Sequence, residues 1–125
     1  MDHLYQRRVQ FADTDAAGVV HFSRILCYAE EAEHDLLAGL GIPLLDGGGW
    51  PRVHVVCDYI APAKFGELLR ISISPKRVGA SSILWSFSLS CEDKMIAHGE
   101  MKAVRVDSAG NACNLEQSWL DALNA

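Results

Sequence analysis

The sequence predicts an α+β protein in which one long helix lies across an antiparallel sheet. One segment, residues 22–40, repeats its apolar residues with a helical period, whereas four consecutive segments after residue 52 alternate with the period of a strand. Short turns separate these strands, and strands joined by short turns are antiparallel. The length of 125 residues fits one domain over residues 1–125, large enough to bury its own core.

The helix prediction depends on one apolar stripe. Spacings of four, three, four and four residues place its members on one helical face: Ile25, Ala29, Ala32, Leu36 and Leu40, widened by Leu26 and Leu37. Gly39, Gly41 and Pro43 then indicate the end of the helix. A helix of this length is about 27 Å long, enough to cross a small sheet.

Alternating apolar and polar residues predict five strands. They span residues 4–11, 53–59, 69–74, 83–91 and 95–106. Turn-forming residues at 79–81 and 92–94 suit hairpins, and Asn114 is expected to cap a short terminal helix. Its apolar face is Leu115, Trp119 and Leu123. One helix leaves much of the sheet and both edges open, so we expect dimerisation through edge pairing or sheet stacking.

Composition and charge exclude several classes of protein. Eleven basic and sixteen acidic residues give a net charge of −5, which disfavours general binding to nucleic acid or anionic membranes. No apolar run reaches the roughly 20 residues of a membrane span, and the N-terminus does not resemble a signal peptide. The four cysteines form no Cys-x-x-Cys pair and are predicted to be reduced, mostly buried thiols of a cytoplasmic protein.

Most familiar catalytic and metal-binding patterns are absent from the sequence. Glu31 and His34 have the Glu-x-x-His spacing of di-iron bundles, but such sites need carboxylates from several helices. We therefore interpret residues 31–34 as a solvated acidic helix face and predict no metal. The basic pairs Arg7–Arg8 and Lys76–Arg77, each taken alone, are interpreted as ordinary solvated surface.

The segment between the first strand and the helix has residues that suit reactions of acyl groups. The unpaired N–H groups at a helix start can stabilise an oxyanion that develops on a carbonyl. Asp15 precedes the helix closely enough to reach the same carbonyl or a water beside it, and Gly18 allows close approach of the backbone. The residues alone leave an alternative open, in which Asp13 and Asp15 only shape the turn and cap the helix.

The segment Asp13–Val20 followed by an amphipathic helix resembles the signature of the hotdog-fold acyl-CoA thioesterases, the 4-hydroxybenzoyl-CoA thioesterase family. The similarity continues through residues 58–63 and 66–69, so it covers nearly the whole chain. Phe22 stands where thioesterases associated with the Tol–Pal system carry a site histidine. The motifs are more similar to the 1,4-dihydroxy-2-naphthoyl-CoA thioesterases of phylloquinone synthesis.

This resemblance implies a hotdog fold, with a five-stranded antiparallel sheet wrapped around one long central helix, and hydrolysis of a small aromatic acyl-CoA. It makes Asp15 the nucleophile or general base and the Phe22 backbone N–H the oxyanion donor, with Gly18 shaping the approach. Substrate contacts are expected from His21, His54 and Tyr59, and contacts with the coenzyme A part of the substrate from Lys76, Arg77 and Ser82. The resemblance implies no metal or redox cofactor, because coenzyme A is part of the substrate, and a homodimer that assembles to a homotetramer.

Three other functions are alternatives to aromatic acyl-CoA hydrolysis. The first is a non-catalytic acyl-CoA-binding protein that uses the same pocket, although such regulators usually carry a DNA-binding segment. The second is a thioesterase for short-chain aliphatic acyl-CoAs. The third is a hydratase or dehydratase, which needs a positioned histidine, and His21 is awkwardly placed for that role.

Overall fold

The fold is a five-stranded antiparallel sheet with one long helix against it, as predicted. The structure, a computed structural model, describes residues 2–125. Its elements are β1 (His3–Arg8), α1 (Phe22–Gly39), β2 (Arg52–Tyr59), β3 (Leu68–Val78), β4 (Ser82–Cys91), β5 (Lys94–Val104) and α2 (Gln117–Leu123). The strand order is β1-β3-β4-β5-β2, and every neighbouring pair is antiparallel. No helix within residues 2–125 is long and apolar enough to cross a membrane.

The core lies between α1 and the three strands β1, β3 and β4. The predicted stripe is buried at its first four positions, with Ala29 and Ala32 fully enclosed. Leu40, its last member, is exposed, because the helix ends at Gly39 and Leu40 is only its C-cap. The sheet contributes alternate residues of the adjacent strands β3 and β4: Leu69, Ile71, Ile73, Ile83, Trp85, Phe87 and Leu89.

Strand β2 differs from the half-buried strand that its alternation suggests. It pairs only with β5 and forms one edge of the sheet, and Arg52 and Tyr59 at its two ends make its hydrogen bonds to α1. Both of its faces are largely open, and Val53, Val55, Val56 and Tyr59 are all exposed. A run of exposed apolar residues on a free sheet edge is a surface that another strand can pair with.

The structure corrects several predicted boundaries of helices and strands, and local hydrogen bonds explain the differences. β1 ends at Arg8 rather than at residue 11, because Phe11–Asp13 forms a 3-10 turn whose start is fixed by the Asp13 carboxylate. The terminal helix begins at Gln117 with Glu116 at its N-cap, so Asn114 is not the cap. Trp119 and Leu123 are buried on this helix as predicted, whereas Leu115 is buried but lies two residues before the helix begins.

The acidic face of α1 is not fully solvated, contrary to the prediction. Glu33 is almost completely buried and forms a two-pronged ion pair with Arg52, at 2.6 Å from Nη1 and 2.5 Å from Nη2. Glu30 accepts a further bond from Arg52 at 2.9 Å. The ion pair therefore links the start of β2 to the middle of α1.

The four cysteines are free thiols, as predicted, but they are half-buried rather than buried.

Candidate active site

The loop between β1 and α1 is a closed turn that carries Asp15. The Asp15 N–H donates to the Val19 carbonyl at 2.8 Å, and the Gly18 N–H donates back to the Asp15 carbonyl at 3.0 Å. Gly18 has a φ of +80°, a conformation that costs little only for glycine. A Cβ at Gly18 would meet no protein atom within 4 Å, so backbone conformation rather than crowding by the protein explains the glycine.

One oxygen of the Asp15 carboxylate is held by the turn, and the other is available. Oδ1 accepts the N–H of Ala17 at 2.8 Å and a longer bond from Val19 at 3.4 Å. Oδ2 accepts no hydrogen bond from any of residues 2–125. The side chain is exposed and lines a cleft. The turn therefore fixes the direction of the carboxylate and leaves one oxygen able to meet a ligand.

The start of α1 lies at the same cleft. His21 is its N-cap, where the ring Nδ1 accepts the Ser23 N–H at 3.2 Å and lies 2.7 Å from Ser23 Oγ. Phe22 is the first helical residue, and its N–H makes no hydrogen bond within the described part of the chain. An unpaired N–H at the positive end of the helix dipole is suited to stabilising negative charge on a ligand oxygen.

Tyr59 connects the end of β2 to the start of this helix. Its hydroxyl donates to the Phe22 carbonyl at 3.0 Å, and the two rings meet edge to face at 6.5 Å. Burial is the main cause that raises the pKa of Tyr59, so the hydroxyl remains protonated and acts as a donor at neutral pH. The contact holds the carbonyl of the first helical residue, in the peptide group that follows the one carrying the Phe22 N–H.

The cleft has a volume of about 380 Å³, within the usual range for small-molecule pockets. Its walls come from the Asp15 loop, the first turn of α1, the end of β2 with the residues after it, and one residue of β5. They are mostly apolar: Asp15, Val20, Phe22, Ile25, Tyr59, Ile60, Ala61, Pro62, Ala63 and Ile96. A largely apolar wall with one carboxylate and one unpaired N–H suits an apolar acyl group joined to a reactive carbonyl.

The structure brings some of the predicted site residues together and separates others. Asp15, Phe22 and Tyr59 line the cleft. Gly18 and His21 are adjacent to it in the chain but do not line it. His54 lies five residues before Tyr59 on the same strand, so its side chain projects from the opposite face of the sheet. A contact of His54 with substrate stays a prediction.

The predicted coenzyme A contacts lie at the other end of the sheet. Lys76 and Arg77 end β3 and Ser82 begins β4, next to the residues that pair with the start of β2. The cleft lies at the opposite end, about 20 Å away at the rise of a β-strand. Lys76 is also paired with Glu100. Within one chain these residues cannot contact a thioester group that lies at Asp15.

Sequence reasoning missed two parts of the site. The walls formed by Ile25 and Ile96 carry no chemical signal, because an apolar residue in a helix or strand looks the same whether it faces the core or a cleft. The second part is the environment of Asp13, which is 3% exposed. Burial opposes its ionisation, but hydrogen bonds from Tyr28 and the Gln10 N–H, with Arg7 and Arg24 nearby, outweigh burial and lower the pKa of Asp13.

Among residues 2–125, no three His, Cys, Asp or Glu side chains are placed to hold a metal ion together. The residues that line the cleft instead include an aspartate with one open carboxylate oxygen, a phenylalanine with an unpaired N–H and a hydrogen-bonded tyrosine. This set can bind an acyl carbonyl and attack it, or activate a water beside it.

Comparison with known proteins shows which family the chain belongs to. The family model of the thioesterase superfamily matches residues 17–98. The chain is 32% identical to a 1,4-dihydroxy-2-naphthoyl-CoA hydrolase of Synechococcus sp. (strain CC9605), over 93% of this chain and 87% of that protein.

Two solved structures show the same architecture. A 1,4-dihydroxy-2-naphthoyl-CoA thioesterase from Synechocystis superimposes with a TM-score of 0.90 at 26% identity, covering 99% of this chain and 96% of that one. A gentisyl-coenzyme A thioesterase superimposes with a TM-score of 0.87 at 31% identity, covering 98% and 99%. The predicted hotdog fold and thioesterase resemblance are confirmed. The chain belongs to the thioesterase superfamily.

Proposed function

We propose that the protein hydrolyses the coenzyme A thioester of a small aromatic acid to the free acid and coenzyme A. The observation that carries this proposal is that Asp15, with one open carboxylate oxygen, and Phe22, with an unpaired N–H, both line one apolar cleft. The names of the relatives support the substrate class, because the proteins described above act on 1,4-dihydroxy-2-naphthoyl-CoA and gentisyl-coenzyme A.

In the general-base route, Asp15 takes a proton from water while the water oxygen attacks the thioester carbon. The carbonyl oxygen then carries negative charge, which the Phe22 N–H stabilises. When the C–S bond breaks, coenzyme A leaves as a thiolate and receives the proton that Asp15 holds. A thiolate is a good leaving group, so the reaction needs no separate strong acid. Gly18 keeps the Asp15 turn closed, and His21 caps the helix that supplies the N–H.

In the nucleophilic route, the Asp15 carboxylate itself attacks the carbon and expels the thiolate. The resulting mixed anhydride is then hydrolysed by water. A single turnover in ¹⁸O-water detects the anhydride when water attacks its Asp15 carbonyl. Water attack at the acyl carbonyl of the anhydride would label only the product acid, as the base route does. The base route places one ¹⁸O in the product acid and none in the protein, whereas ¹⁸O found in the Asp15 carboxylate by mass spectrometry establishes the anhydride.

A second copy of the chain is part of the proposal. The exposed apolar edge of β2 suits antiparallel pairing with β2 of another copy around a two-fold axis. That pairing sets the Tyr59 end of one strand beside the Arg52 end of the other. It also brings Lys76, Arg77 and Ser82 of the second copy to the end of the sheet where Asp15 lies. The dimer would thus allow these residues to contact coenzyme A, and assembly into a tetramer stays a prediction.

A substrate panel tests the proposal. Release of free thiol is followed with aryl-CoA and short-chain aliphatic acyl-CoA substrates, and kcat/KM is ranked. We expect the highest values for aromatic acids. Binding without thiol release from any substrate would make the protein an acyl-CoA-binding module, and a preference for short aliphatic chains would overturn the substrate class.

A cytoplasmic location also stays a prediction, which the four free thiols support.

A further inference from the structure

Asp13 is a buried carboxylate that does not line the cleft, yet it is the most heavily bonded side chain of the site loop. Its Oδ2 accepts the Tyr28 hydroxyl at 2.7 Å and the Gln10 N–H at 3.0 Å. Arg7 Nη1 lies 3.5 Å from Oδ2, and Arg24 Nε lies 3.7 Å from Oδ1. The Tyr28 hydroxyl makes the shortest of these contacts.

The backbone of Asp13 is bonded directly to the start of α1. Its carbonyl accepts the His21 N–H at 2.9 Å, and this bond closes the loop that contains Asp15. His21 precedes Phe22, whose N–H is the proposed oxyanion donor. The position of Asp13 therefore sets one end of the Asp15 turn and the orientation of the first peptide groups of the helix.

Tyr28 fixes Asp13 from inside the core. It lies one and a half turns into α1, is fully buried, and carries the Arg7 guanidinium over its ring at 5.0 Å. Its hydroxyl has no bonded partner other than Asp13 in the described residues. Burial raises the pKa of Tyr28, with the bond to Asp13 as the next cause, so the hydroxyl is a donor throughout the working range of pH.

We propose that Tyr28 is a positioning residue for thioester hydrolysis. Acting through Asp13, it holds the Asp15 carboxylate and the Phe22 N–H at the distance from each other that the reaction needs. The inference rests on the proposed function, because it assigns a role to Tyr28 only if Asp15 and Phe22 act on a thioester. Reacting groups lose much of their effect when displaced by about 1 Å, so a loosened Asp13 should slow the chemical step.

The chain contains a matched control for Tyr28. Tyr5 also donates its hydroxyl to a carboxylate that packs beside Arg7, since it bonds Glu31 of α1 at 3.1 Å. Tyr5 and Glu31 make no hydrogen bond to residues 13–22. Tyr5→Phe removes a comparable hydrogen bond between the sheet and α1 while leaving Asp13 and the loop bonded.

The experiment compares kcat and KM of Tyr28→Phe and Tyr5→Phe for one aryl-CoA substrate. For Tyr28→Phe we expect kcat to fall about tenfold while KM stays within about twofold, because the walls of the cleft are retained. Tyr5→Phe should keep both constants within about twofold. Thermal unfolding of each variant verifies that it is folded at the assay temperature, which separates a kinetic effect from loss of folded protein.

Asp13→Asn supplies the second test, because an amide oxygen accepts a weaker bond from a hydroxyl than a carboxylate does. If Tyr28 acts through Asp13, adding Tyr28→Phe to Asp13→Asn should reduce kcat by less than about threefold. An undiminished tenfold loss in that background would overturn the route through Asp13. Unchanged kcat in folded Tyr28→Phe would overturn the proposal itself. In either case the proposed function is judged separately, by the activity of wild-type protein and of Asp15→Asn.

Discussion

Asp15 and Asp107 hold two turns of the same shape, and only the Asp15 carboxylate faces the cleft. In both turns Oδ1 accepts the N–H groups two and four residues later, at 2.8 and 3.4 Å for Asp15 and at 2.9 and 3.0 Å for Asp107. A glycine three residues later has a φ of +80° in one turn and +86° in the other. Turn formation alone therefore explains an aspartate at either position, and the cleft is what distinguishes Asp15.

This pair provides a matched test of catalysis. Asp15→Asn retains an oxygen that can accept the turn hydrogen bonds, but it removes the charge that attacks the carbonyl or takes a proton from water. We expect kcat/KM for an aryl-CoA to fall by about a thousandfold or more, with little change in thermal stability. Asp107→Asn makes the same chemical change in the same kind of turn and should keep wild-type turnover. Near-normal turnover of Asp15→Asn would remove this residue from the mechanism.

Tyr59 should affect turnover through its hydroxyl and binding through its ring. Tyr59→Phe removes the 3.0 Å bond to the Phe22 carbonyl and keeps the ring in the cleft wall. We expect kcat to fall by roughly fivefold, the kinetic equivalent of about 1 kcal/mol, with KM nearly unchanged. Tyr59→Ala removes the wall as well and should raise KM. Steady-state kinetics of the two variants separate these contributions, and equal KM values for both would contradict a role for the ring.

The free edge of β2 predicts that assembly and activity are lost together. Val55→Asp places a charge in the middle of this edge, where pairing with a second β2 would bury it without a partner. We expect a monomer by size-exclusion chromatography with light scattering, together with reduced kcat/KM. Leu45→Asp is the control, because Leu45 is apolar and 98% exposed but lies outside the sheet. A Val55→Asp variant that retains the wild-type mass would place the interface elsewhere.

Asp13 should contribute to the dependence of stability on pH. Its pKa is lowered in the folded protein from an ordinary value of 3.8, so the unfolded chain binds a proton more readily. The stabilisation from Asp13 is therefore complete above about pH 4 and is lost as the pH falls through the lower, folded pKa. Asp13→Asn should reduce the free energy of unfolding at pH 7. Below pH 4 the free energy of unfolding should decrease less steeply than in the wild-type protein, as measured by urea unfolding. If the free energy of unfolding depends on pH in the same way in the variant and in the wild-type protein, other carboxylates cause the acid sensitivity.

Removing only one partner of the ion pair between Glu33 and Arg52 should strongly reduce the stability of the protein. Arg52→Met leaves the buried Glu33 carboxylate without its two-pronged partner, and we expect a loss of about 3 kcal/mol in the free energy of unfolding. Changing both residues to Met removes the unpaired charge as well and should be much less destabilising. Urea unfolding of the single and double variants measures this difference. A double variant as unstable as Arg52→Met would show that packing, rather than charge, accounts for the cost.

Local sequence patterns were sufficient to predict the helices and strands of the fold. The spacing of Ile25, Ala29, Ala32 and Leu36 predicts α1, and the alternation from Ile83 to Cys91 predicts β4, because helix and strand periods depend on neighbours along the chain. The turn at 79–81 was likewise readable from its residues. The segment Asp13–Val20 pointed to the cleft through its resemblance to a family motif, although the chemical roles of its residues stay predictions.

What the sequence by itself determined was the type, order and approximate length of the elements, since backbone geometry and local burial impose those periods. The tertiary structure alone decided which distant residues meet. Tyr28 reaches Asp13 across 15 positions, Arg52 buries Glu33, and Lys76 lies at the far end of the sheet from Asp15. The Arg52–Glu33 pair, for example, depends on the strand order, which places β2 beside β5 at one edge. That order is set by packing the whole sheet against one helix, and no local spacing encodes it.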